Sequence, residues 1–445
     1  EKELRQKMDE LIIKLIKHRQ NNQKFIPGKT KIQYAGAVYD EKEITKMIHA
    51  ILDGWFSSGK YTLQFENSFA RMIGASMAIS VNSGSSANLL TIATLFSNRI
   101  PKGFKLQPGD EIITTGLSFP TTVNPIIQYN LTPIFVDVEL GTYNPSAEDI
   151  EDAISPRTRG IFITHTLGNP NEMDYIMELV EDKNLVLIED SCDALGSKYN
   201  GKYVGTFGHF GTFSFYPAHH ITTGEGGMVV TNEKLLGDIV KSLRDWGRAC
   251  IMPICNPSTC GDLECPRSLR SKSKNIFGLP EDYDKRYTYI EIGYNLKMTE
   301  IQAAMGLAQL EKLPEFIKLR KRNFKLLYNE LMNFEDYFIL PEWHKKSDVS
   351  WFAFPLTIRK EAPFKRRDIV RWLLQNNIEV KLFFSGNILR HPAYRNIKAK
   401  VHKSLQNSDF IMENSFFIGV YPGLTEEKIN YIIEKIREFV SNYKR

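Results

Sequence analysis

No apolar run in this chain approaches the roughly 18 consecutive residues that a membrane-spanning helix needs. The first 20 residues are charged throughout and lack the apolar core of a secretion signal, so the expected location is the cytoplasm, away from any membrane. Charge of one sign is also scarce: a net +5 on 445 residues gives no case for nucleic acid. Cysteine is rarer still, at five residues, yet four of them (Cys250, Cys255, Cys260 and Cys265) are spaced C-x4-C-x4-C-x4-C in a segment rich in Pro, Gly and Asn. In a cytoplasmic chain such clustering points to a metal, zinc or an iron–sulfur cluster, more than to disulfides. Internal repeats and low-complexity tracts are absent. The remainder, 42% hydrophobic and 24% charged, is that of an ordinary globular protein long enough for two domains.

Residues 1–20 place Leu4, Met8, Leu11, Ile12, Leu15 and Ile16 at helical spacing, and a second helix is expected over 41–52. From about Phe65 to Thr231 short apolar runs alternate with helical stretches. Strands are expected over 78–82, 111–114, 133–137, 160–164, 185–189, 211–215 and 228–231. Most are continuously apolar, as strands buried on both faces of a largely parallel sheet are. The fold class is therefore α/β, with ligands expected beyond the carboxyl ends of the strands. A helix is expected over 233–243, and Gly293 starts a long helical region reaching about Glu330. Strands over 351–358 and 379–384, with helices over 366–374 and 425–443, then suggest a smaller α+β unit. The expected division is an N-terminal helix and arm (1–40), a large domain (41–325, with a Cys-rich insertion at 248–289) and a small C-terminal domain (326–445).

Four stretches at strand ends can carry chemistry. Asn82-Ser-Gly-Ser-Ser-Ala-Asn88 opens a helix with small residues that let N–H groups close on an anion, although plain helix capping uses the same residues. In Gly116–Asn124 the aromatic Phe119 can stack on a ring or simply fill the core. Asp190, leaving a buried strand, can pair with a protonated pyridine nitrogen, as a pyridoxal-type cofactor requires, or cap a helix. Around the last stretch, Gly211-Thr-Phe-Ser-Phe-Tyr-Pro-Ala-His-His-Ile-Thr-Thr-Gly-Glu-Gly-Gly227, the other three are arranged in order. Adjacent histidines in such a loop are, alone, ordinary hydrogen-bonding side chains.

Together these stretches resemble the DegT/StrS family of sugar-nucleotide aminotransferases over nearly the whole chain. The resemblance implies a fold-type-I pyridoxal-phosphate enzyme, with Gly84, Ser85 and Ser214 on the cofactor phosphate, Phe119 stacked on its ring and Asp190 at its nitrogen. Gly293-Tyr-Asn-Leu-Lys-Met-Thr-Glu-Ile-Gln-Ala-Ala304 is nearly identical to a family stretch, and implies that Asn295 reaches the phosphate of a neighbouring subunit's cofactor in a homodimer with shared sites. Phe384-Ser-Gly-Asn387 and Arg390-His391-Pro392 look like the substrate-facing loop. Where the family carries its Schiff-base lysine, this chain has His219, followed by His220.

Within the family, that exchange marks the dehydrases that make 3-deoxy sugars. The implied cofactor is pyridoxamine 5′-phosphate (PMP), and His219 is the implied catalytic base. One such group uses only this cofactor on a GDP-sugar. Another adds a [2Fe–2S] cluster, acts on CDP-4-keto-6-deoxyglucose in 3,6-dideoxyhexose and O-antigen biosynthesis, and draws electrons from a separate NADH-dependent iron–sulfur flavin reductase. The Cys-rich insertion and the run Leu279–Tyr289 look like the second. Cys192, Cys250 and Cys260 fall on the first, second and fourth positions of its C-x57-C-x1-C-x7-C ligand pattern. Met252 occupies the third, so either Cys255 or Cys265 takes its place or the cluster is altered or absent. The competing expectations are a cluster-free dehydrase on a GDP- or dTDP-linked sugar, with the cysteines binding zinc, and a ligand-binding protein on the same scaffold.

Overall fold

The computed structural model describes residues 1–21, 24–249, 278–280 and 287–443. The four clustered cysteines, Met252 and most of the Cys-rich insertion lie outside the described residues.

Seven strands of the main sheet follow the apolar runs: β1 Met77–Val81, β2 Glu111–Thr115, β3 Thr132–Val136, β4 Thr158–Thr164, β5 Val186–Asp190, β6 Phe210–Ser214 and β7 Gly227–Thr231. Their order across the sheet is β1-β7-β6-β5-β4-β2-β3, and β7 alone runs antiparallel to its neighbours. Every residue of β2, β3, β5 and β7 is buried, because helices cover both faces. An eighth strand, Lys400–Val401, joins beside β3 from far along the chain. Two exposed residues carry no apolar pattern, and sequence reasoning missed this strand.

Other differences trace to end signals. The helix expected to start near Gly293 runs Glu300–Leu331, because Thr299 and Gln302 form a capping box there. Glu300, 2% exposed, then turns its carboxylate to the start of another helix, Lys60–Ile73, and accepts from the N–H groups of Gly59, Tyr61 and Thr62, each at 2.8 Å. The strand expected over 379–384 shrinks to Lys381–Leu382. It ends near Phe384, whose φ of 42° turns the chain out of extended geometry.

Lys381–Leu382 lies on the edge of a four-stranded antiparallel sheet with Ser415–Gly419, Ala353–Ile358 and Phe338–Ile339. The helices Arg366–Gln375 and Glu426–Ser441 contribute Ile369, Leu373, Ile429, Ile432 and Ile436 to the core of this unit. The arm before residue 41 reaches the same unit, where Ile32 exchanges backbone hydrogen bonds with Asn377 (2.8 Å) and Glu379 (2.9 Å).

Behind the carboxyl end of β5, Glu189 is fully buried. Its carboxylate accepts from the N–H groups of Gly205 (2.8 Å), Phe207 (2.8 Å) and Gly208 (2.7 Å), and its Oε2 lies 3.0 Å from His165 Nε2. Removing the acceptor strands three donors, one buried and two partly buried. Glu189→Ala is expected to lose about 3–5 kcal/mol of stability, as a broken buried charged network does. Urea unfolding measures it, and a loss under about 1 kcal/mol would contradict this account.

Candidate active site

Alternation along β5 sends Glu189 to one side and Asp190 to the other. Asp190, 4% exposed, closes a network across three elements. Its Oδ2 accepts from Asn88 Nδ2 at 2.9 Å and Thr122 Oγ1 at 2.7 Å, and its Oδ1 accepts from the Cys192 N–H at 3.2 Å. Asn88 is held in turn by Thr212 of β6, whose Oγ1 donates at 2.6 Å.

Beside this network lies a cavity of about 470 Å³ lined by Gly84, Ser85, Phe119, Asp190, Cys192, Ser214 and His219. The structure therefore brings together every expected site residue among those described except Asn295. That residue is exposed outside the cavity, where it accepts from Lys297 Nζ at 2.7 Å.

One wall of the cavity is the start of the helix Gly84–Leu95. Ser83 caps it by accepting from the Ser86 N–H at 3.1 Å. The N–H groups of the first turn, Gly84 and Ser85 among them, have no partner within the helix and carry its positive end. Glycine is required at 84 for space: a Cβ there would stand 2.6 Å from Ser214 Cβ and 3.0 Å from Cys192 Sγ. The backbone of the first turn and the Ser214 side chain thus converge on one point, as a phosphate cradle demands. Phe119, 51% exposed, precedes the helix Pro120–Gln128 and meets Phe384 edge-on with centroids 6.2 Å apart. A phosphorylated pyridine fits this donor set, with N–H groups and a hydroxyl at one end, a carboxylate at the other and an aromatic ring at the side.

His219 is mostly buried, its ring 5.3 Å from that of Phe352. Burial, helped by the Arg320 cation and opposed by the Cys192 carbonyl, pushes its pKa down to about 3. Asp193, whose Oδ1 stands 3.5 Å from His219 Nδ1, moves the other way. Burial and the nearby Asp190 raise its pKa to about 8. Burial thus disfavours charge on both groups, and it favours the free-base form of His219. His220 points away from the cavity, its Nε2 2.8 Å from the Ser350 carbonyl. Cys192 is held as a thiol, its pKa raised by burial and by Asp190.

Sequence reasoning missed four residues. Tyr34 of the N-terminal arm and Lys381 of the edge strand line the cavity, with Lys381 Nζ 4.9 Å from the Tyr34 ring centre. Asp193 was visible three residues after Asp190 but carried no pattern. Arg320, 1% exposed, gives its guanidinium to the carbonyls of Trp351 (3.2 Å), Phe352 (3.0 Å) and His219 (3.1 Å). Among the described residues, Lys381 is the only lysine lining the cavity, and it sits far along the chain from the loop that holds His219.

The chain matches the DegT/DnrJ/EryC1/StrS aminotransferase family over residues 38–253 and 268–437. The lipopolysaccharide biosynthesis protein RfbH of Salmonella typhimurium (strain LT2) is 43% identical over 437 residues, 98% of each chain. The dTDP-4-dehydro-2,6-dideoxy-D-glucose 3-dehydratase of Saccharopolyspora spinosa is 44% identical over 422 residues, 95% of this chain and 89% of its own. Among solved structures, GDP-4-keto-6-deoxymannose-3-dehydratase with a trapped PLP-glutamate geminal diamine matches with a TM-score of 0.81 at 30% identity, over 91% of this chain and 99% of its own. The architecture is thus that of fold-type-I pyridoxal-phosphate enzymes.

A histidine held neutral by burial carries a pH signature. The unfolded chain protonates His219 near pH 6.5, whereas the folded protein does so only near 3, so its contribution is present above about pH 6.5 and lost as pH falls. His219→Asn should flatten the fall in unfolding free energy between pH 6.5 and 4.5 by up to about 1.4 kcal/mol per pH unit. Urea titrations at a series of pH values read this slope, and an unchanged slope would mean that His219 is not a buried neutral base.

Proposed function

The chain belongs to the DegT/DnrJ/EryC1/StrS aminotransferase family, and within it we propose that it removes the C3 hydroxyl of a nucleotide-linked 4-keto-6-deoxyhexose. The observation that carries this reading is the place of His219, which lines the cavity from the loop in which the resembling family carries its Schiff-base lysine. Both 3-dehydratases among the relatives described above act, by name, on nucleotide sugars.

Pyridoxamine phosphate, when bound, supplies an amine for the C4 ketone and a ring that accepts electrons. The protein does the rest. The Gly84 and Ser85 N–H groups and the Ser214 hydroxyl hold the phosphate, Asp190 keeps the ring nitrogen protonated, and Phe119 covers a ring face. His219, held uncharged, would be placed to take a proton at the cofactor's C4′ carbon and to return it to the C3 hydroxyl, which would leave as water. Asp193 lies beside Nδ1 and limits how the imidazole turns. Asn295, exposed, is available to a second subunit's site in a homodimer.

The finer reading is a CDP-4-keto-6-deoxyhexose substrate, with reduction through a [2Fe–2S] cluster fed by an NADH-dependent reductase. Cys192 supports it: its thiol lines the cavity two residues from Asp190, where a cluster ligand would stand close to the reacting centre. Cys250, Cys255 and Cys260 complete the proposed set. A cluster-free dehydratase on a dTDP- or GDP-linked sugar is the second reading, favoured by Met252 at the third ligand position.

Two experiments test these readings. His219→Asn should lose dehydration by about 100-fold or more, the scale of a general base, while still binding pyridoxamine phosphate by its absorbance. A variant dehydrating at the wild-type rate would exclude His219 as the base. Iron and acid-labile sulfide, assayed on protein purified without air, should reach about two of each per chain for the cluster. Zinc or no metal would select the cluster-free enzyme.

A further inference from the structure

Leu382, on the edge strand of the C-terminal unit, lines the cavity and also a separate open groove of about 540 Å³. The rest of that groove is the outer face of the helix Arg366–Gln375. Ile369 and Leu373 are buried beneath this helix, which leaves Arg367, Val370, Arg371 and Leu374 on the side that lines the groove.

Folding accounts for little of this face. Leu374 and Leu382 are 52% and 51% exposed, although each belongs to a regular element. Arg366 and Arg367 open the helix directly after Lys365 at its N-cap, where the helix dipole disfavours cations. Among the described residues only one of the three arginines forms an ion pair: Arg367 Nε lies 3.6 Å from Asp368. Arg366 donates to the carbonyls of Met412 and Ser415, and Arg371 has no hydrogen bond or ion pair among the described residues. Uncompensated arginines around exposed apolar side chains are the makings of a protein-docking face.

We propose that this groove is the docking site of an acidic electron-transfer protein, which reaches the edge of the cofactor cavity at Leu382. The inference rests on the reductive reading of the active site and names the surface through which its electrons enter. Replacing the C3 hydroxyl by hydrogen takes two electrons and two protons and releases one water, so a one-electron donor must dock twice per turnover. The arginines favour an acidic partner and speed its encounter. A concave groove between two leucines receives a protruding protein side chain, which a flat lipid surface does not offer. Because Leu382 belongs to both walls, a partner seated here stands next to the cavity, and electron transfer weakens steeply with distance.

Calorimetry on the whole chain purified without air, with a plant-type [2Fe–2S] ferredoxin as the acidic one-electron probe, tests the assignment. Wild type should bind at low salt, and Arg367→Glu and Arg371→Glu should each weaken binding about 10-fold. Lys102→Glu, which reverses an exposed charge between the helix Gly84–Leu95 and β2, should stay within about 2-fold of wild type. Reduced ferredoxin should bleach the cluster absorbance of both arginine variants about 10-fold more slowly than that of wild type. Dithionite, a small reductant that needs no docking face, should bleach all of them alike, which guards against a folding artefact. Unchanged affinity in both arginine variants, or a wild type that dithionite reduces and ferredoxin does not bind, would overturn the docking site and leave the reductive reading standing. Protein without iron and sulfide would overturn that reading and the docking site with it. Wild-type binding to phosphatidylglycerol vesicles that both variants lose, without binding to ferredoxin, would make the groove a membrane contact and overturn the protein partner.

Discussion

The buried carboxylate of Asp190 is the constraint on which the rest of the site depends. Its three donors come from the helix that opens at Gly84, the helix that opens at Pro120, and the turn after β5. Thr212 adds β6 through Asn88. A buried carboxylate left short of donors is costly, so these elements must stop at matching heights. Where they stop, the N–H groups of one helix, the ring of Phe119 and the loop carrying His219 face a common space. The network that makes the carboxylate tolerable also sets the dimensions of the cavity.

A second buried charge works from the opposite side. Arg320 finds only backbone carbonyls among the described residues as hydrogen-bond partners, and burial lowers its pKa to about 9. Its cation stands behind the His219 loop, where it disfavours protonation of both histidines. Asp193, whose own pKa is raised by burial and by Asp190, stands on the cavity side of the ring. Burial first and the Arg320 cation second thus hold the imidazole below its ordinary pKa, against the Cys192 carbonyl.

Much of this was legible in the sequence because the parts are local. A strand followed by a Ser/Gly-rich helix start, an Asp at a strand exit and a Phe before a proline each announce themselves within a few residues. The largely parallel sheet and the meeting of Gly84, Asp190, Ser214 and His219 followed from the α/β pattern and the resemblance. Residues that act at long range were silent. Tyr34 reaches the cavity only because Ile32 pairs with Asn377 and Glu379, and Lys381 only because a two-residue strand pairs with Phe416 and Phe417. Asp193 and Arg320 gain their roles from burial, which no short pattern encodes.

The rim of the cavity joins the two ends of the chain. Tyr34 comes from the arm, while Lys381 and Phe417 come from the last quarter, and all three line one space. During synthesis, therefore, the β5–β6 core can assemble before the segment that pairs with Ile32 has been made. The arm must wait on the ribosome until residues 377–379 emerge before Ile32 finds its partners. The pocket above the cofactor cradle therefore closes only after the last quarter of the chain has been made.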